Sequence, residues 1–228
     1  MKKYIQSFRI FFGVTQLRSL VIFAAVIFGF MILCGAASLL SENDFISGFA
    51  QGVSSMIGTL AAVFGMMFLN ALYQSLSPSV PGYKYYRSLP DGAAHFRRAI
   101  AAGNILGIAA GLVLLALVSV VYVLIGVGQT FTLLGIALLF VTAGVCNFTG
   151  YIRVNTARII SLMALMCVFG FALGFMDGSG EEEGLSAMQI LSQNTGVFLM
   201  ILGGSIALFI AGLIYALALA EKKWGEAL

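Results

Sequence analysis

The sequence predicts an all-α integral membrane protein. It has six transmembrane helices, an N-terminal amphipathic interfacial helix, and both termini on the cytoplasmic side. Three observations carry that prediction. Of the 228 residues, 61% are hydrophobic and only 9% charged, where an ordinary soluble domain carries about a quarter charged residues. The charge-free stretches are long enough to cross a bilayer, since roughly 20 apolar residues span one hydrocarbon core. When six crossings are drawn, all the basic residues fall on one side.

The crossings follow from the gaps between charges, because a charge at mid-bilayer is expensive. The 23 uncharged residues between Arg18 and Glu42 hold the first span, about 19–40, and the 39 between Asp44 and Lys84 hold the second, 52–76. The 54 residues from Ala99 to Ile152 hold two, 99–125 and 130–150. Between them lies Gly126-Val127-Gly128-Gln129-Thr130, which has the composition of a tight turn. The fifth span is 159–176 and the sixth 195–219. Leu20–Leu33 followed by Cys34-Gly35-Ala36-Ala37 also resembles a secretory leader, but the long charged segment before it argues for a retained span.

With these spans, Lys2, Lys3, Arg9, Arg18, Lys84, Arg87, Arg97, Arg98, Arg153, Arg158, Lys222 and Lys223 share one side. Glu42, Asp44, Asp177, Glu181, Glu182 and Glu183 take the other. The basic side is the cytoplasmic one. The expectation is a single multi-pass domain, residues 1–228, in the cell membrane. Its net charge of +3 is spread over juxtamembrane segments, which suits lipid head groups and gives no sign of nucleic acid as a partner.

Within residues 1–18, Tyr4, Ile5, Phe8, Phe11 and Phe12 share a helical face, with Lys2, Lys3, Gln6, Ser7 and Arg9 mostly opposite. Such an elbow helix lies in the membrane surface with its aromatics among the head groups; a plain basic start that only sets topology is the alternative. The glycines recur every four residues, as Gly103, Gly107 and Gly111 on the third span and Gly170 and Gly174 on the fifth. That spacing lets helix backbones approach closely, within the chain or between two copies.

Several chemistries are excluded. The spans contain no carboxylate or histidine, so neither intramembrane hydrolysis nor a buried proton relay is expected. There is no G-x-x-x-x-G-K-[ST] phosphate-binding loop, hence no ATPase activity in this chain. Cys34, Cys146 and Cys167 lie in separate spans with no metal-ligand spacing, so no metal site is expected. The polar residues left near membrane depth are Asn70, Gln74, Asn104 and Asn147, which either hold helices together or line a path for a polar group of a substrate.

All three prolines, Pro78, Pro81 and Pro90, fall in the cytoplasmic connection 77–98. There Tyr85-Tyr86-Arg87-Ser88-Leu89-Pro90-Asp91-Gly92-Ala93-Ala94-His95-Phe96-Arg97-Arg98 reads as the start of a helix, with Ser88 as N-cap, Pro90 in the first turn and Asp91 at N3. That helix leads into the third span as a lever. The other reading is a solvated basic loop, although two tyrosines and a Leu-Pro pair are more than such a loop needs.

An aromatic and basic lead, Ser88-Leu89-Pro90, and a short basic helix entering the third span resemble the first cytoplasmic loop of permease subunits of ABC type-2 (type V) exporters. The layout of six spans with an elbow helix and both termini inside is similar as well. The resemblance implies a membrane-spanning permease that works as a homodimer or with a closely related permease. A separate ABC-type ATPase subunit would power it, carrying ATP and Mg, with no cofactor in this chain. Docking residues would be Tyr85, Tyr86, Arg87, Ser88, Leu89, Pro90, His95 and Arg97, with Arg153 and Arg158 in the second cytoplasmic loop as the lesser contact. A pathway without charged walls suits an amphipathic or hydrophobic substrate: a peptide, drug or lipid-like molecule. Two other readings stay open, a six-span substrate-binding subunit of a vitamin-type importer and a non-transporting membrane scaffold.

Overall fold

The computed structural model describes residues 2–12, 83–125, 130–152 and 195–226, with single helical positions between 18 and 36, between 64 and 73, and at 160 and 164. Five helices are delimited among them: α1 (Lys2–Phe11), α2 (Tyr83–Ser88), α3 (Gly92–Ile125), α4 (Thr130–Thr149) and α5 (Thr195–Glu226). Among the described residues there is no strand. Continuous apolar sequence favours this outcome, because a chain surrounded by hydrocarbon satisfies its backbone polar groups most simply within a helix.

Among the described residues, two segments are long and apolar enough to cross a membrane, Gly92–Leu117 and Phe198–Gly225, each with a mean hydropathy of 2.3. Gly135–Thr149 is a shorter apolar helix. The 34 residues of α3 reach about 51 Å at 1.5 Å per residue, well beyond the roughly 30 Å of a hydrocarbon core. His95, Arg97 and Arg98 stand near the start of the helix.

Side-chain pairings fix the helix directions. Phe140 meets Phe209 with ring centroids 5.6 Å apart, and Phe148 meets Tyr215 at 5.2 Å, so α4 and α5 run parallel. Arg97 pairs with Glu221 and Phe96 with Trp224, so α3 runs antiparallel to α5. The α4–α5 seam is closed by glycine. A Cβ on Gly212 would stand 2.6 Å from the Gly144 carbonyl oxygen, and one on Gly144 would stand 3.0 Å from that of Leu208. Only two glycines allow the backbones to meet this closely. Gly103 faces the Leu72 side chain and the Phe8 ring, while Gly107 and Gly111 are buried. Gly170 and Gly174 lie outside the described residues.

The elbow helix departs from expectation in what it packs on. Ser7, Phe8, Phe11 and Phe12 are buried in the protein, while Tyr4 and Ile5 at the first turn stay exposed. A 3.6-period aromatic face fits a helix bundle as well as a bilayer surface, and here its C-terminal half has taken the bundle.

The second departure concerns Ser88, which ends α2 and does not cap α3. Its hydroxyl donates back to the Tyr85 carbonyl at 2.9 Å. Pro90 then stops the helix, since it lacks an N–H and disfavours helical geometry in the residue before it. The Gly92 amide donates to the Leu89 carbonyl at 3.1 Å. The reversal thus places Pro90 and Asp91 where a type II turn favours proline and a positive φ. Asp91 has φ 54°, and its carbonyl accepts the first intrahelical bond of α3, from the His95 amide at 3.0 Å. Asp91 is therefore the N-cap residue, three positions later than the sequence pattern suggests.

Candidate functional site

The start of α3, the ends of α4 and α5, and the helices α1 and α2 converge at one end of the bundle, which carries most of the described basic residues. Its centre is aromatic. Phe11 of α1 packs edge-on against Phe96 of α3 at 5.5 Å and against Trp224 of α5 at 5.9 Å. Phe96 and Trp224 are 5.4 Å apart. Tyr86 of α2 reaches Phe11 at 5.4 Å, and Tyr73 reaches Phe96 at 6.4 Å and Tyr151 at 5.3 Å. Aromatic pairs in these geometries add about 0.5–1.5 kcal/mol each beyond the area they bury. The cluster therefore holds four helices and the Tyr73 segment in one mutual arrangement.

A polar layer lies beside it. Asn104 and Asn147 are fully buried and exchange hydrogen bonds: Asn147 Nδ2 donates to Asn104 Oδ1 at 2.7 Å, and Asn104 Nδ2 donates to Asn147 Oδ1 at 3.1 Å. Asn104 Nδ2 also donates to the Ile100 carbonyl at 2.9 Å, and the Tyr73 hydroxyl donates to Asn147 Oδ1 at 3.0 Å. Both lone pairs of Asn147 Oδ1 and both protons of Asn104 Nδ2 are thereby used within the protein. The two amides face each other, in the geometry of an interhelical tie. Asn70 is half-buried, with its Oδ1 buried and without a hydrogen-bond partner among the described residues. Gln74 lies outside the described residues.

Beyond the end of α4, the Tyr151 hydroxyl donates to the Ala216 carbonyl of α5 at 2.5 Å. Burial, aided by the neighbouring Tyr215 phenol, holds Tyr151 above the ordinary tyrosine range, so it stays a proton donor. Gly150 lies flat beneath Tyr73, where a Cβ would meet the ring at 2.5 Å.

The residues of the 85–98 segment divide between surface and core. Tyr85 is 62% exposed, and Ser88, Pro90 and Arg97 are exposed as well. Tyr86, Leu89 and His95 are half-buried. Arg97 Nη1 lies 3.3 Å from Glu221 Oε1 in a pair open to solvent, worth at most about 1 kcal/mol. His95 is tied to α1, with its Nδ1 2.9 Å from the Ser7 hydroxyl oxygen. That hydroxyl has one proton, donated to the Lys3 carbonyl at 2.8 Å, so His95 Nδ1 is the donor. Arg87 belongs to α2, but its side chain lies outside the described residues, as do Arg153 and Arg158.

Sequence reasoning passed over Ser7, Tyr73, Glu221 and Trp224 as members of this end. Trp224 had a signal, being the single tryptophan of the chain, placed among charges just past an apolar span where such residues anchor. Tyr73 and Ser7 had none, because what distinguishes them is a partner on another helix.

No protein-family model matches the chain, and no curated protein or solved structure does so.

Proposed function

We infer that this chain is the membrane-spanning permease subunit of an ATP-driven exporter, with the α2–α3 elbow as the place where a separate ATP-hydrolysing subunit docks. One observation carries the reading. A short helix, α2, stands on a tight turn at the base of α3, a continuous helix of 34 residues. Tyr85, Ser88 and Pro90 face outward there, and Tyr86 is backed by Phe11. A force applied to such an elbow passes into α3 through the short turn Leu89–Asp91. A solvated loop has no need of an aromatic foundation.

Other features agree with this reading. The parallel course of α4 and α5 is what the six-span reading expects of its fourth and sixth crossings. Both termini then share the basic, cytoplasmic side. With no phosphate-binding loop in the chain, the energy for transport comes from the partner. The exposed apolar faces of α3 and α5 offer no charged wall, which suits an amphipathic or hydrophobic cargo.

The test is retention of the partner. The tagged full-length chain, purified from its own membranes in mild detergent, is expected to carry a Walker-motif ATPase identified by mass spectrometry, together with its ATP hydrolysis. Leu89→Asp, at the half-buried centre of the turn, should abolish both while leaving the elution profile of the chain unchanged. An ATPase retained equally by Leu89→Asp would remove the elbow from the docking site.

A further inference from the structure

We propose that Trp224, carried at the end of α5, is the positioning residue of the elbow: lying over Gly92 and against Phe11 and Phe96, it sets the angle of α2 on α3 and ties displacement of α2 to the end of α5. Nothing in the sequence pattern of residues 85–98 points to this residue, which is more than 120 positions away. The contacts do.

Gly92 is where the elbow turns into α3, and its amide closes the turn by bonding to the Leu89 carbonyl. A Cβ there would stand 2.7 Å from Trp224 Cζ2 and 3.1 Å from Cε2, so the indole sits directly on the backbone at the pivot. Only glycine leaves room for that approach. The residue before the pivot, Asp91, holds a left-handed φ of 54°, and a non-glycine residue keeps such a conformation only where its surroundings enforce it. The indole is 7% exposed and is the largest group covering the turn.

The rest of the elbow cannot position itself. With six residues, α2 is far below the length at which a helix is stable alone, so its orientation comes from tertiary contact. That contact is Tyr86 on Phe11, and behind Phe11 stands Trp224. The ion pair between α3 and the end of α5, Arg97–Glu221, has side chains 54% and 62% exposed. An ion pair so open to water holds weakly, and the buried indole is the stronger of these two ties. The mechanical consequence for transport rests on the docking of a partner at α2; the positioning role itself does not.

The test uses the purified full-length chain in detergent, with no partner present. Hydrogen–deuterium exchange is compared between the wild type, Trp224→Ala and Trp224→Phe. Trp224→Ala should speed exchange of residues 83–92 about tenfold, as expected for a local opening, while residues 137–147 of α4 keep their protection. Trp224→Phe should restore most of the difference. Unchanged exchange at 83–92 would overturn the proposal, and so would equal acceleration at 137–147, which would make Trp224 a general core residue.

Gly92→Ala approaches the same contact from the other side and keeps the indole. Because Trp224 is the only tryptophan, its emission should move to the red as the new methyl displaces it, with faster exchange at 83–92. Unaltered emission would count against the seating of Trp224 on the pivot. Loss of the ATPase in Leu89→Asp bears on docking, whereas these measurements on the isolated chain bear on Trp224 alone.

Discussion

Replacing Asn147 with leucine removes three hydrogen bonds at once. They are the donation from Tyr73, the donation from Asn104 and the donation to Asn104. Interhelical hydrogen bonds in membrane proteins average about 0.6 kcal/mol and reach about 1.7, so Asn147→Leu should cost about 2 kcal/mol. Asn104→Leu removes two of the same three bonds and one to its own helix, and should cost about as much. The two bonds that join the amides are counted in both single variants. The double variant Asn104→Leu/Asn147→Leu should therefore lose about 1 kcal/mol less than the singles together. It also leaves neither amide buried without its partner, which widens the gap. Equilibrium unfolding by sodium dodecyl sulfate in mixed micelles, followed by Trp224 emission, measures all three. Additivity within about 0.3 kcal/mol, or a single variant more stable than the wild type, would refute the reciprocal tie.

Three further outcomes follow from the packing. Gly212→Ala sets a methyl against the Gly144 carbonyl and should destabilise by about 1–3 kcal/mol, as overpacking does, whereas Gly204→Ala, with nothing within 4 Å, should be neutral or stabilising by up to about 1 kcal/mol; the same unfolding assay separates them. Asp91→Val should cost about 1–2 kcal/mol because a β-branched residue resists the left-handed φ, while Asp91→Asn should be tolerated, both read by the thermal midpoint in detergent. Glu221→Gln should shift stability by no more than about 1 kcal/mol at ordinary salt, and a larger loss would mean that the exposed pair does more than its solvent screening permits.

What the sequence made legible was whatever depends on local composition. The body of α3, all of α4 and the body of α5 lie on stretches that stand out as charge-free, because a chain with no polar side chains to bond must bond itself. The segment 85–98 could be singled out for the same reason: it interrupts such composition. What stayed hidden depends on pairing. Asn104 and Asn147 were each visible as polar residues in apolar surroundings, but their 43-residue separation gives no hint that they bond. Gly144 and Gly212 belong to different helices, so the four-residue spacing that exposed Gly103, Gly107 and Gly111 passes over them. Ser88-Leu89-Pro90-Asp91 was misread because a serine before a proline serves equally as the start of one helix or the stop of another, and only the positive φ at Asp91 decides. The face expected on α1 is divided, with Phe8, Phe11 and Phe12 buried and Tyr4 and Ile5 exposed, because an apolar stripe does not say whether lipid or protein covers it.

The docking of an ATPase at the elbow is tested most directly by photocrosslinking in intact membranes. Tyr85, 62% exposed at the outer side of α2, is replaced by p-benzoylphenylalanine, with the same replacement at Met200, 71% exposed on the apolar face of α5, as control. The expected result is a crosslink from position 85, and none from position 200, to a Walker-motif ATPase, with a yield that changes when Mg-ATP is added. Crosslinks from position 85 to lipid alone, or to the same proteins as position 200, would contradict the assignment of the elbow as the docking site.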